Sequence, residues 1–223
     1  CFELPSPFPP EHLLCLQLPV DTRFNAREQS LPRVAAAIRA VFAGKPGKYI
    51  AFFPSHRYLR MAQELLEDLP LHPQQGRMDD AQRQSYLARF TADEEPLLAL
   101  AVLGGIFSEG IDLPGLALIG VCVVGVGLPQ VGEEREAIRR RAGEQGLSGF
   151  DIAYRHPGMH KVLQAAGRLI RSETDRGVLA LLDERFAQSA YRALLPPHWD
   201  VQSVAEPDAL AAALNAFWHE DGA

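Results

Sequence analysis

LLALAVL at Leu97–Leu103 and LALIGVCVVGV at Leu116–Val126 are apolar at almost every position. A strand with one wet face alternates polar and apolar residues, whereas a strand covered on both faces does not. Their Val, Leu and Ile content, bounded by Gly and Pro, selects strand over helix. Leu13–Val20, Tyr49–Phe53 (closed by Pro54) and Gly177–Leu182 share this character, and Leu71–Gln74 adds a short strand. Amphipathic stretches of helix length separate them. They are Leu31–Phe42 behind a candidate Ser30 N-cap, Arg57–Leu69 behind Ser55, Asp79–Phe90, Gly158–Arg171 and Pro207–Trp218. Asp79 and Asp80 suit the positive end of the helix they open. Buried strands alternating with helices predict an α/β fold: a mostly parallel sheet held between two helical layers.

The 223 residues are 47% hydrophobic and 22% charged, which excludes a mainly disordered chain. A chain this long buries enough surface to fold without disulfides or metals. Its formal net charge of −6 argues against a stand-alone nucleic-acid binder, which is usually basic. From Asp183 to the end there are seven acids and two bases, so the tail carries the acidity and the body is close to neutral. Cys1, Cys15 and Cys122 form no CxxC pair and no metal-ligand spacing. Free thiols in a reducing compartment, and no metal site in this chain, are the expectation. No signal peptide is visible, and Leu116–Val126 is only about half of a membrane span. A soluble, cytoplasmic protein without a membrane partner is predicted. The opening at Cys1-Phe2, without Met, predicts a piece of a longer polypeptide.

Gly127–Arg155 breaks the rhythm. Glu133, Glu134 and Glu136 precede Arg139, Arg140 and Arg141, which predicts an inserted, salt-bridged helix and loop at about 127–155 in preference to a phosphate-binding basic cluster.

Several motifs are missing. There is no GxxxxGK[ST], so the chain lacks the backbone cradle for β- and γ-phosphates. Gly125-Val126-Gly127 has no third glycine and meets Leu128-Pro129 where a dinucleotide fingerprint would start a helix. Leu181-Leu182-Asp183-Glu184 looks like a metal-binding strand end, but without a phosphate loop it reads better as a buried strand entering a turn.

Two segments carry chemistry. In HKVLQAAGRLIR, His160–Arg171, a helix of 100° per residue gathers Lys161, Gln164, Arg168 and Arg171 within about 80°. That row is either a solvated face or a polyanion grip. It lacks an acid to neutralise it, and an arginine fork suits phosphate oxygens. In GGIFSEGIDLPG, Gly104–Gly115, Glu109 and Asp112 follow a predicted strand. The ligand crevice of an open parallel sheet lies beyond such strand ends; a tight turn with solvated acids is the alternative.

KYIAFFPSHRYL (Lys48–Leu59), GGIFSEGIDLPG and QAAGRLIR (Gln164–Arg171), in this order, resemble motifs IV, V and VI of superfamily 2 helicases, and more narrowly the XPD/DinG family of ATP-dependent DNA helicases. The resemblance covers roughly Pro7 to Pro197. It implies a RecA-like three-layer domain, the P-loop NTPase fold without its own P-loop, over 1–197. Residues 198–223 would be an acidic tail or helix packed on it. The phosphate loop, the magnesium-binding acids and any iron–sulfur cysteines would lie in a preceding N-terminal RecA-like domain. The resemblance further implies that Arg171 and Arg168 reach the ATP γ-phosphate with Gln164 beside them. Glu109, Gly110 and Asp112 would line the nucleotide cleft, and Ser55, Ser108 and Gln75 would touch single-stranded or forked DNA. Movement would be 5′→3′, in DNA repair or replication. A non-catalytic interaction module of the same fold is the alternative, and an NAD-type enzyme using Gly125–Gly127 the weaker third reading.

Overall fold

The computed structural model describes residues 8–92, 95–105, 118–170, 172 and 174–219. After a 3-10 turn at Pro10–His12, β1 (Leu13–Leu18) leads to α1 (Arg27–Ala43), β2 (Lys48–Phe53), α2 (His56–Leu65), β3 (Leu71–Pro73) and α3 (Asp80–Ala92). Then come β4 (Leu97–Val102), β5 (Leu118–Val124), α4 (Glu133–Glu144), a π-helical turn at Asp151–Arg155 and α5 (His156–Ala166). The chain closes with β6 (Gly177–Leu182), α6 (Ser189–Arg192), β7 (Gln202–Ser203) and α7 (Pro207–His219). The strands form one sheet in the order β3-β4-β2-β5-β6-β1-β7. Every pairing is parallel.

The continuous apolar strands have the predicted cause. Tyr49, Ala51 and Phe53 of β2 enter one core, which α1, α2 and α7 cover with Val34, Ile38, Leu59, Leu214 and others. Ile50 and Phe52 enter the opposite core, covered by Tyr86 and Phe90 of α3 and by Met159 and Val162 of α5. Helix, sheet and helix make the expected three layers. Cys15 and Cys122 are buried strand residues with free thiols. Burial pushes the Cys122 thiol up to about 12 and raises Cys15 as well, so neither is a thiolate at neutral pH. No described helix is long and apolar enough to cross a membrane.

Three local expectations need correction. Ser30 does not cap α1, which starts at Arg27; the added turn is held by the Ser30 N–H donating to Ala26 O (3.0 Å). The helix expected over Gly158–Arg171 begins at His156 and ends at Ala166, where Gly167 donates its N–H to Leu163 O (2.8 Å). β7 was not foreseen, because two exposed residues carry no apolar pattern. Within the 127–155 stretch lies a helix, α4. Glu136 pairs with Arg139 (2.9 Å) and Arg141 with Glu144 (3.9 Å), each three residues apart, and Tyr154 Oη donates to Glu136 Oε1 (2.7 Å).

α5 is seated through two glycines. A Cβ on Gly158 would lie 2.6 Å from Val126 O and 3.0 Å from Leu128 N, and Gly127, at φ +66°, lies against Gly158 O. Backbone atoms cannot swing aside as a side chain can. Gly158→Ala should therefore shift α5 and cost about 2 kcal/mol, lowering Tm by roughly 4–8 °C in a thermal melt.

His72 of β3 stacks on Tyr86 at 4.2 Å and pairs through Nε2 with Tyr86 O (2.9 Å). Burial holds its pKa below the usual value, against the raising effect of that hydrogen bond. Between this lowered value and the unfolded ~6.5, the unfolded chain binds more protons, so stability falls as pH drops through that window. Urea unfolding from pH 7.5 to 5 should show this slope, and His72→Gln should flatten it.

Candidate functional site

Because all the strands run one way, every strand exit falls on the same edge. Val20–Thr22 follow β1, Pro54 and Ser55 follow β2, Gln74 and Gln75 follow β3, Gly104 follows β4, and Asp183 follows β6. Crevices of open parallel sheets form at this carboxyl edge.

Ser55 sits where the sequence put it, as the N-cap of α2, with its Oγ accepting from the Tyr58 N–H (3.3 Å). Gln75 is exposed, whereas its neighbour Gln74 is buried and structural. The Gln74 N–H donates to Leu100 O (2.7 Å), and its Oε1 accepts from the Val102 N–H (2.9 Å). Gln74 thus extends the β3–β4 ladder with its side chain and hands Gln75 to solvent beside the β4 exit.

On α5 the expected row divides. Gln164 is exposed and contacts His160 Nε2 (3.0 Å). Lys161 turns inward over Gly104, where a Cβ would meet its Cδ at 2.9 Å. Burial, and then the charge of Arg135, hold the Lys161 pKa below normal. Arg168 is half-buried past the helix end, in the turn that follows Gly167. Arg168 therefore owes its place to a turn and not to helical periodicity. Near Gly167, a Cβ would find only Leu163 O at 3.2 Å among the described residues. Arg171, Ser108, Glu109, Gly110 and Asp112 lie outside the described residues.

The sequence did not disclose the most tightly built cluster of the edge. Asp183, fully buried, accepts from Arg185 N and Nε at Oδ1 (both 2.8 Å) and from Arg185 Nη2 (2.7 Å) and the Thr22 hydroxyl at Oδ2. All four lone-pair directions of the carboxylate are in use. Burial pulls the Arg185 pKa down, but the hydrogen bonds and charge of Asp183 more than offset it and leave it above normal. Gln17 Nε2 donates to Asp183 O (3.0 Å), and Arg23 pairs with Glu184 and with Asp21 (3.1 Å). The β6 exit is thereby clamped to the β1–α1 loop. Leu181–Glu184 is the buried strand and turn that the sequence favoured over a metal-binding strand end. Among the described residues no group of three or more His, Cys, Asp or Glu could hold a metal ion.

A parallel sheet between two helical layers, with its polar residues along one carboxyl edge, is the architecture of a RecA-like domain. The sequence agrees: residues 38–202 match the family described as the helicase C-terminal domain, and the chain belongs to that family. It is 33% identical over 201 residues to the ATP-dependent helicase DinG of Mycobacterium tuberculosis (strain ATCC 25618 / H37Rv), covering 86% of this chain and 28% of that protein. It is 31% identical over 199 residues to the regulator of telomere elongation helicase 1 of Homo sapiens, covering 79% of this chain and 16% of that protein. The chain thus spans well under a third of the length of either relative. Among solved structures, an XPD helicase superposes with TM-score 0.70 at 19% identity, over 86% of this chain and 35% of that one. The C-terminal domain of the DEAD-box protein Dbp5 superposes with TM-score 0.55 at 13% identity, over 92% and 98%. These structural likenesses establish the fold.

Asp183→Ala would leave Arg185, with 14% of its side chain exposed, as an unpaired buried charge. A loss of about 3–5 kcal/mol is expected in urea unfolding, with a smaller loss for Asp183→Asn, which keeps two acceptor sites.

Proposed function

We propose that this chain is the second RecA-like motor domain of an ATP-dependent DNA helicase, acting with a preceding RecA-like domain of the same polypeptide. The observation that carries the reading is the helicase C-terminal family match over residues 38–202, supported by the gathering of polar groups at one sheet edge. ATP would be gripped by the preceding domain, since this sequence contains no phosphate loop. What this chain brings is a set of donors: the Gln164 amide and the guanidinium groups of Arg168 and Arg171, suited to phosphate oxygens. Magnesium would be coordinated by the phosphates and the preceding domain, and any iron–sulfur cluster belongs to that part too. Glu109, Gly110 and Asp112 would close the nucleotide cleft from this side.

The DNA contacts assigned to Gln75, Ser108 and Ser55 follow β3, β4 and β2 in the sequence. Those strands are consecutive in the sheet and ~4.8 Å apart, so one strand of DNA laid along the edge would meet both Gln75 and Ser55, with Ser108 proposed as a third contact. Hydroxyl and amide contacts to the backbone position DNA without reading its sequence, as movement along any sequence requires. The near-neutral body suits a track that must release at every step. We place residues 1–197 in the motor domain, with 198–223 as its C-terminal extension, in the cytoplasm of a bacterial cell, moving 5′→3′ in repair or replication.

The reading is tested in the full-length protein. Arg171→Ala should reduce DNA-stimulated ATP turnover by ~10³-fold or more, the range of an arginine finger, and the isolated 223-residue chain should hydrolyse no ATP. Normal turnover in Arg171→Ala would refute the assignment.

A further inference from the structure

At the same carboxyl edge, outside every residue assigned so far, Phe24 stands 73% exposed in the β1–α1 loop. Isolated exposed apolar side chains are common and need no function. Phe24 is not isolated. Arg27 of α1 and Arg57 of α2 bring their guanidinium carbons to 5.6 and 5.9 Å from its ring centroid. Both distances lie within the ~6 Å range of a cation–π contact, and the ring, 73% exposed, still offers most of its surface to solvent. Arg27 also lies 5.0 Å above the ring of Tyr58 and donates from Nε to Thr22 O (3.2 Å). A cavity of about 230 Å³ opens between Phe24, Arg27, Glu28, Arg57 and Tyr58. It is smaller than the ~300–1,000 Å³ of a drug-sized ligand site, so it admits one planar group, not an entire nucleoside triphosphate.

The loop that presents Phe24 is fixed. Thr22 is tied to Asp183 and Arg185, and Arg23 is tied to Asp21 and Glu184. A hydrophobic ring held into solvent by a loop anchored on a buried ion pair adds little apolar burial to the fold of this chain. Its surroundings match those of a base-stacking platform, in which aromatic rings take bases and arginines take the neighbouring phosphates. Arg57 has the freedom for the latter role. Its acidic neighbour among the described residues, Glu28, lies 3.8 Å away, and the two side chains are 67% and 81% exposed, a pairing worth little in water.

We infer that Phe24, with Arg27 and Arg57 beside it, is a stacking platform for a nucleobase of single-stranded DNA, close to the α2 N-terminus that Ser55 caps. The inference rests on the helicase reading above and adds a base contact to a track so far made of backbone contacts. The platform is indifferent to sequence because every base presents a π face.

The test uses the full-length protein and fluorescein-labelled dT20, read by anisotropy. Phe24→Ala should weaken binding about tenfold, within the range of a lost base stack, and Phe24→Trp should restore it. Arg57→Ala should lower the salt dependence of log K by about one unit, and Glu28→Gln should tighten binding. An oligomer of abasic sugar-phosphates should bind parent and Phe24→Ala alike. Equal dT20 affinity of parent and Phe24→Ala overturns the inference while leaving the helicase reading intact. So does a raised KM for ATP at unchanged dT20 affinity, which would move the base to the mononucleotide. A lowered Tm at unchanged affinity would make Phe24 a domain contact and also overturn it. Failure of the parent to bind dT20 at all would sink both readings.

Discussion

Burial of both sheet faces is the constraint from which the remaining structure follows. A strand such as Lys48–Phe53, with five consecutive fully buried residues, cannot lie at a solvent face, so helices must cover it above and below. Crossover connections through those helices keep the strands parallel. Parallel strands then deliver all their exits to one edge. Ser55, Gln75, Gly104, Phe24 and Asp183 are 20 to 80 residues apart in sequence, or more, yet this single consequence of burial puts them on one rim. The edge is also where backbone leaves the ladder, so polar side chains must complete the hydrogen bonds there. Gln74 does so for Val102, Ser55 for Tyr58, and Asp183 for Arg185.

The sheet was legible because its signal is redundant: five long strands repeat the same apolar run, and most of the intervening stretches carry helical periodicity. Helix ends were less legible. Ser30-Leu31-Pro32 has the composition of a cap followed by a first-turn proline, but Leu31, Val34 and Ile38 pack on the sheet, and extending the helix back to Arg27 carries Arg27 to Tyr58 and Thr22. Tertiary contact overrode the local signal. In α5, the helix ends at Ala166 and Gly167 follows as its C-cap at φ −64°. A helical wheel drawn through it placed Arg168 on a face that no longer exists there.

The site was partly legible for a related reason. Ser55 could be placed because its hydroxyl and the α2 backbone are neighbours in sequence. The Thr22–Asp183–Arg185 cluster could not, since Thr22 and Asp183 are 161 residues apart and neither residue type demands the other. Phe24 was invisible for the opposite reason. A lone phenylalanine between polar residues has no periodicity to belong to, and only the convergence of arginines from two helices marks it out.

Asp183 also shows why the division of labour between two domains is physically reasonable. A carboxylate at the end of a hydrophobic strand is where a metal-binding acid would stand in a self-sufficient nucleotide site. Here its four acceptor directions are filled by Arg185 and Thr22, so coordinating a cation would require breaking charge-assisted hydrogen bonds in a dry environment, each worth roughly 1.5–3 kcal/mol. The acid is committed to holding the β1–α1 loop. Phe24 and Arg27 depend on that loop for their position, and through them so does the flank of the edge nearest Ser55. A rim built this way is rich in donors, and its buried acid is already committed. It is suited to gripping an anion or a base, in keeping with the proposed sharing of the nucleotide between two domains.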